Sequence, residues 1–187
     1  VERLKRIAKE KGKIQIVYAG KAHIKDGQGK ETIKKIITLA KEISDDDIKI
    51  IYLENYDMNL GKLMTSGVDV WLNNPQLPLE ASGTSGMKAC INGVPQFSTI
   101  DGWWVEGHVE NVTGWSIGKD SYKHMEESDH ITDSDSLYTK LENIIIPKYY
   151  NEKEKWMRIM RNCIAFNASF FNTYRMTLQY VTNAYLY

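Results

Sequence analysis

Cysteine is scarce in this chain: Cys90 and Cys163 are the two present among 187 residues. A disulfide framework needs more, and no residue cluster offers metal-ligand spacing, so a stapled secreted module and a structural zinc site are both excluded. The thiols read instead as small buried groups in a reducing compartment. Net charge is lacking too, because 24 basic residues balance 24 acidic ones and no basic block stands apart. That removes the electrostatic footprint of a nucleic-acid or anionic-membrane binder. The opening Val1-Glu2-Arg3-Leu4-Lys5-Arg6 is charged, no signal-type apolar region follows, and no apolar run reaches membrane-spanning length, so a cytoplasmic setting is expected. Val1 stands where an initiator methionine would, which leads to the expectation of a longer parent chain.

What is present is 42% hydrophobic residues, enough at this length for the core of one domain over residues 1–187. Leu4, Ile7 and Ala8 fall on one helical face, so Arg3 to Lys11 reads as a helix ended by Gly12. Ile14 to Ala19 is a short β-branched strand closed by Gly20. Lys21 and His23 follow at its carboxyl end, where open α/β sheets bind ligands; a solvated lysine and a loop-packing histidine are the alternative. Gly29 to Ile43 carries an apolar stripe through Ile33, Ile36, Ile37, Leu39 and Ala40, and is an amphipathic helix. Asp45-Asp46-Asp47 reads as a solvated turn rather than a cation site. Ile48 to Leu53 is the next strand, Met58 to Ser66 a short helix, and Val68 to Leu72 a third strand. Such alternation predicts parallel strands with helical crossovers.

Val94 to Ile100 supplies another strand, made irregular at its start by Pro95, and Asp101-Gly102 a turn. Trp103-Trp104 is either a sugar-stacking edge or core, and core packing is preferred because large aromatics are more often structural. Lys119 to Ser136 shows no apolar period and reads as a surface connection. Leu137 to Tyr150, Glu152 to Phe166 and Thr173 to Leu186 are helical patterns.

The stretch with most chemical content is Glu80-Ala81-Ser82-Gly83-Thr84-Ser85-Gly86-Met87-Lys88-Ala89-Cys90-Ile91-Asn92, which follows the third strand and the turn Asn73-Asn74-Pro75. It reads as a loop and the glycine-rich mouth of a helix, where unpaired N–H groups and the positive end of the helix dipole await an anion or a hydroxyl. Thr84 and Lys88 lie four residues apart and share a face, so the amine can point toward whatever the mouth holds.

This run resembles the cofactor-attachment signature of the glycogen (α-glucan) phosphorylases, E-A-S-G-x-x-x-M-K followed by Asn. The resemblance continues through Ala19-Gly20-Lys21-Ala22-His23, Leu53-Glu54-Asn55-Tyr56-Asp57, Asp101-Gly102-Trp103-Trp104-Val105-Glu106-Gly107 and Phe171-Asn172-Thr173-Tyr174-Arg175-Met176. Its spelling is nearer to the shorter bacterial and archaeal α-glucan or maltodextrin phosphorylases than to the regulated animal enzymes.

The resemblance implies the C-terminal half of a GT-B fold: a Rossmann-like parallel sheet flanked by helices, with the sheet core over about 12–118 and C-terminal helices over 133–187. It implies that the N-terminal domain, the first strand of this domain and a basic phosphate-gripping segment lie outside the chain. The implied activity is release of glucose 1-phosphate from α-1,4-glucan or maltodextrin with inorganic phosphate, with this part inactive alone; a homo-oligomer is compatible with it.

The implied cofactor is pyridoxal 5′-phosphate, bound through Lys88, with Gly83, Thr84 and Ser85 on its phosphate and Tyr56 near it. Glu80, Ala81, Ser82 and Gly83 would hold the terminal glucose, and no metal is implied. Asp57 departs from the family pattern, since the animal enzymes carry an arginine there near the cofactor phosphate. Two rival readings remain: a sugar-nucleotide-dependent glucan synthase of the same architecture, and a non-catalytic glucan- or phosphate-binding module. The synthases' equivalent loop resembles E-P-x-G-x-x-x-x-E; Lys88 stands at that second acidic position, and an amine cannot accept from ribose hydroxyls.

Overall fold

The computed structural model describes residues 1–118 and 129–186. In chain order the elements are α1 (Glu2–Lys11), β1 (Ile14–Ala19), α2 (Gly27–Ile43), β2 (Ile48–Leu53), α3 (Met58–Gly67) and β3 (Trp71–Asn73). They continue with α4 (Thr84–Ile91), β4 (Gln96–Thr99), α5 (Trp104–Gly107), β5 (Gly114–Ile117), α6 (His130–Lys140), α7 (Ile146–Asn151), α8 (Lys153–Asn162) and α9 (Thr173–Tyr180). π-Helical turns at Leu141–Ile145, Cys163–Ala168 and Val181–Tyr185 extend α6, α8 and α9. The fold is α/β with parallel sheets flanked by helices, in two compact units: residues 1–62 with 138–151, and residues 63–137 with 152–187.

In the first unit β1 and β2 run parallel, with Ile14 opposite Ile48 and Ala19 opposite Leu53. Leu4 and Ala8 of α1, Ile43 of α2 and Ile48 of β2 form the core, with Ile14, Ile16, Ile50 and Tyr138 packed against it. Gly12 ends α1 at φ +145°, with the Tyr150 ring where a β-carbon would lie, and the Tyr150 hydroxyl donates to the Lys13 carbonyl at 2.8 Å. The acidic run is a turn, as expected: the Asp45 carboxylate accepts from the Asp47 and Ile48 amides at 2.8 and 2.9 Å. Those hydrogen bonds hold its pKa below the ordinary aspartate value.

In the second unit the sheet order is β3-β4-β5, all parallel. The strand expected over Val94 to Ile100 begins at Gln96, because Pro95 has no amide to donate; its carbonyl accepts from the Trp71 amide at 3.0 Å. Every residue of β4 and β5 is buried, as for parallel strands covered on both faces. Trp103 and Trp104 are core residues, at 4% and 0% exposure, which decides between packing and an open stacking edge. Trp115 stacks on Trp156 at 5.5 Å, and Trp103 meets Phe171 edge-on at 5.0 Å. Cys90 and Cys163 are buried free thiols.

The unpatterned connection expected over Lys119 to Ser136 is corrected at its end. Residues 119–128 lie outside the described part, but α6 begins at His130, where Asp129 accepts from the Ile131 amide at 3.1 Å. Strand β5 and the short helix α5 were not legible beforehand: four-residue elements carry too little periodicity.

Candidate functional site

The signature run lies entirely in the second unit. Gly83 precedes α4 in the left-handed conformation, φ +79° and ψ 54°, a turn that glycine enters without strain. Among the described residues no side chain caps the helix, so its first amides remain available at the positive end of the dipole. Thr84 opens α4 and Lys88 lies one turn on; both are exposed, while Gly86, Ala89 and Cys90 face the core. The Lys88 ammonium has no ion pair or hydrogen bond among the described residues, and its carbonyl accepts from Asn92 Nδ2 at 2.8 Å. Asn92, the last residue of the signature, therefore closes the helix that carries the lysine.

Glu80 sits half-buried beside that mouth. Its Oε1 accepts from the Ser82 amide at 3.3 Å, and its Oε2 has no partner among the described residues. The carboxylate folds over Gly83, where a β-carbon would meet Glu80 Cγ and Cδ at 3.6 Å. The loop is tied from behind. Asp101 Oδ2 accepts from the Glu80 amide at 2.9 Å, Asp101 Oδ1 from the Gly102 amide at 2.9 Å, and the Trp103 amide donates to the Ser82 carbonyl at 2.8 Å.

Beneath α4, Gln96 and Trp103 press on Gly86. A β-carbon there would fall 2.9 Å from Trp103 Nε1 and 2.8 Å from Gln96 Cδ, and it would collide outright with Gln96 Oε1. Neither the buried Gln96 amide nor the Trp103 indole N–H has a hydrogen-bond partner among the described residues.

Tyr56, Lys21 and His23 belong to the first unit. Tyr56 is 36% exposed, its hydroxyl lying against Gly61. Lys21 is exposed and lines an open hollow of about 440 Å³ with Asp26, Gln28, Gly29, Thr32 and Ile33. His23 is also exposed, and its Nδ1 accepts from the Lys25 amide at 3.2 Å, a loop-forming contact. Asp57 has a plain structural occupation: its Oδ1 accepts from the Leu60 amide at 2.8 Å and caps α3. Asp101 and Trp103 are what sequence reading missed. The pair was visible only as a turn and an aromatic run, and no local signal says that they brace a loop some twenty residues upstream.

The donor set suits a group with an anionic end and a carbonyl. Uncapped amides and the exposed Thr84 hydroxyl can donate to an anion, and a free primary amine lies on the same helical face. A carboxylate with an open lone pair beside a left-handed glycine suits a hydroxyl-rich ligand. Among the described residues no cluster of His, Cys, Asp and Glu can hold a metal ion, and no helix is long and apolar enough to cross a membrane.

Comparison with known proteins shows the family. The family model for carbohydrate phosphorylases matches residues 2–185. The chain is 46% identical over 186 residues to maltodextrin phosphorylase of Thermococcus litoralis, covering 99% of this chain and 22% of that protein. It is 42% identical over 191 residues to glycogen phosphorylase of Aquifex aeolicus, covering 99% and 27% respectively. Glycogen phosphorylase of Mycobacterium tuberculosis is 35% identical over 181 residues, 94% of this chain and 21% of its own length. The chain thus spans about a quarter of these relatives, and it belongs to the carbohydrate phosphorylase family.

Proposed function

We propose that this chain is the cofactor- and glucose-binding part of an α-glucan phosphorylase, which releases glucose 1-phosphate from α-1,4-glucan with inorganic phosphate. The observation that carries the reading is the shared exposed face of Thr84 and Lys88 at an uncapped helix mouth, with the open Glu80 oxygen beside it.

The cofactor in this reading is pyridoxal 5′-phosphate, and the residues present fit it. Lys88 supplies the amine that holds its carbonyl end. The amides after Gly83, with the Thr84 hydroxyl and Ser85, receive its phosphate. When bound, that phosphate group supplies an acid–base partner for the substrate phosphate. Glu80 accepts from hydroxyls of the terminal glucose, aided by the backbone of Ala81, Ser82 and Gly83. Its charge also favours positive charge developing at the anomeric carbon. Tyr56 belongs to the same proposal as a residue near the cofactor. Asp57 does not, since its carboxylate is committed to capping α3.

The amine at Lys88 also weighs against a sugar-nucleotide synthase, whose ribose hydroxyls need an acceptor at that place. The chain corresponds in this reading to the second Rossmann-like domain of a GT-B enzyme and binds without turning over. That agrees with its covering only 22% and 27% of the first two relatives.

The test is reductive trapping: incubate with pyridoxal phosphate, reduce with borohydride, and map the modified peptide by mass spectrometry. Modification confined to Lys88 and lost in Lys88→Ala supports the reading. Scattered labelling that persists in Lys88→Ala refutes a preformed cofactor site.

A further inference from the structure

We propose that Asp101 is a positioning residue for the sugar-binding loop, and that Asp101-Gly102-Trp103 acts as the splint that sets where the Glu80 carboxylate stands. The inference rests on the glucose-binding role proposed for that loop.

Three independent contacts converge. Asp101 is 5% exposed, and both carboxylate oxygens are spent on backbone amides, Oδ2 on Glu80 and Oδ1 on Gly102, each at 2.9 Å. The first bond fixes the backbone of the residue whose side chain is offered to the ligand. The next residue, Gly102, has φ +55°, and a β-carbon there would stand 2.5 Å from the Ser82 carbonyl oxygen and 3.0 Å from Glu80 Cγ. Only glycine lets the turn approach the loop this closely. Third, Trp103 donates its amide to the Ser82 carbonyl at 2.8 Å, while Trp103 Cδ1 lies 3.6 Å from where a Gly83 β-carbon would be.

Between them these contacts engage Glu80, Ser82 and Gly83, three of the four residues assigned to the sugar. They leave Lys88 and the exposed face of α4 untouched. A carboxylate suits the post at Asp101 because both its oxygens accept. Asparagine would turn an NH₂ group toward one of the two donors and lose that bond.

The test uses the intact polypeptide that carries this chain, loaded with pyridoxal phosphate and assayed for phosphate-dependent release of glucose 1-phosphate from maltodextrin. Asp101→Asn should lower kcat/KM for maltodextrin by about tenfold or more, while borohydride trapping at Lys88 stays within about twofold of wild type. A merely structural role would move both together. Gly102→Ala, which crowds both the Ser82 carbonyl and Glu80 Cγ, should reproduce the pattern and carries the test if Asp101→Asn fails to fold.

An unchanged kcat/KM in Asp101→Asn, beside a loss in Glu80→Gln, overturns the inference and leaves the glucose-binding reading standing. Loss of Lys88 trapping in step with activity also overturns it. An inactive wild type, or no effect of Glu80→Gln, overturns the parent reading and this inference with it.

Discussion

Gly86→Ala separates helix propensity from packing at the root of the site. Alanine is the better helix former by about 1 kcal/mol, so in an exposed helix the change would stabilise. At Gly86 the new methyl group has nowhere to go: it would overlap Gln96 Oε1 and stand 2.8 Å from Gln96 Cδ and 2.9 Å from Trp103 Nε1. Gln96 is 1% exposed, so its amide cannot swing into solvent. Overpacking of a buried site costs about 1–3 kcal/mol, and an overlap this severe belongs in the upper part of that range, about 2–3 kcal/mol, which outweighs the propensity gain and gives a net loss of about 1–2 kcal/mol.

The decisive assay is a double-mutant cycle in urea, read by tryptophan fluorescence. Gln96→Ala removes the obstructing amide and two buried polar atoms that have no hydrogen-bond partner among the described residues. In the Gly86→Ala background it should therefore recover stability, with a coupling of about 1–3 kcal/mol. Additivity within about 0.5 kcal/mol, or a Gly86→Ala variant as stable as wild type, would refute the packing argument.

Asp57→Ala should cost about 1 kcal/mol through the lost cap of α3 and leave pyridoxal phosphate trapping at Lys88 unchanged, checked by denaturation and peptide mapping. The folded-state pKa of Asp45 is depressed by its backbone hydrogen bonds, so its contribution to stability is full above its unfolded value near 3.8 and is lost as pH falls through the folded one. Asp45→Asn should accordingly flatten the urea midpoint between about pH 5 and pH 2; an unaltered acid limb would refute the assignment. Cys163 is pushed well above the ordinary thiol pKa, first by its hydrogen bond with Cys90 and then by burial, and both thiols are buried. Native protein should leave a disulfide-exchange reagent unreacted, and denatured protein should release two equivalents per chain; rapid native labelling would contradict the buried pair.

Strands β1 and β2 were legible to the residue, over Ile14 to Ala19 and Ile48 to Leu53, because each is a β-branched run bounded by Gly or Asp turn residues. Strand β5 was invisible, since Gly114 to Ile117 becomes a strand only through its ladder with β4. The cap at Asp129 was a local signal for α6, but the polar composition around it masked the helical period.

The run from Glu80 to Asn92 by itself determined the groups on offer: a glycine-opened helix, an amine one turn inside it and a carboxylate before it. These are consequences of helical spacing and backbone freedom over a dozen residues, which local sequence carries in full. Tertiary structure alone decided how that loop is held. The bond from Glu80 to Asp101, the approach of Gly102 to Ser82, and the burial of Gln96 and Trp103 against Gly86 join residues that only the folded sheet brings together. It also decided that Asp57 caps a helix, because a carboxylate takes its role from the donor that reaches it, here the Leu60 amide.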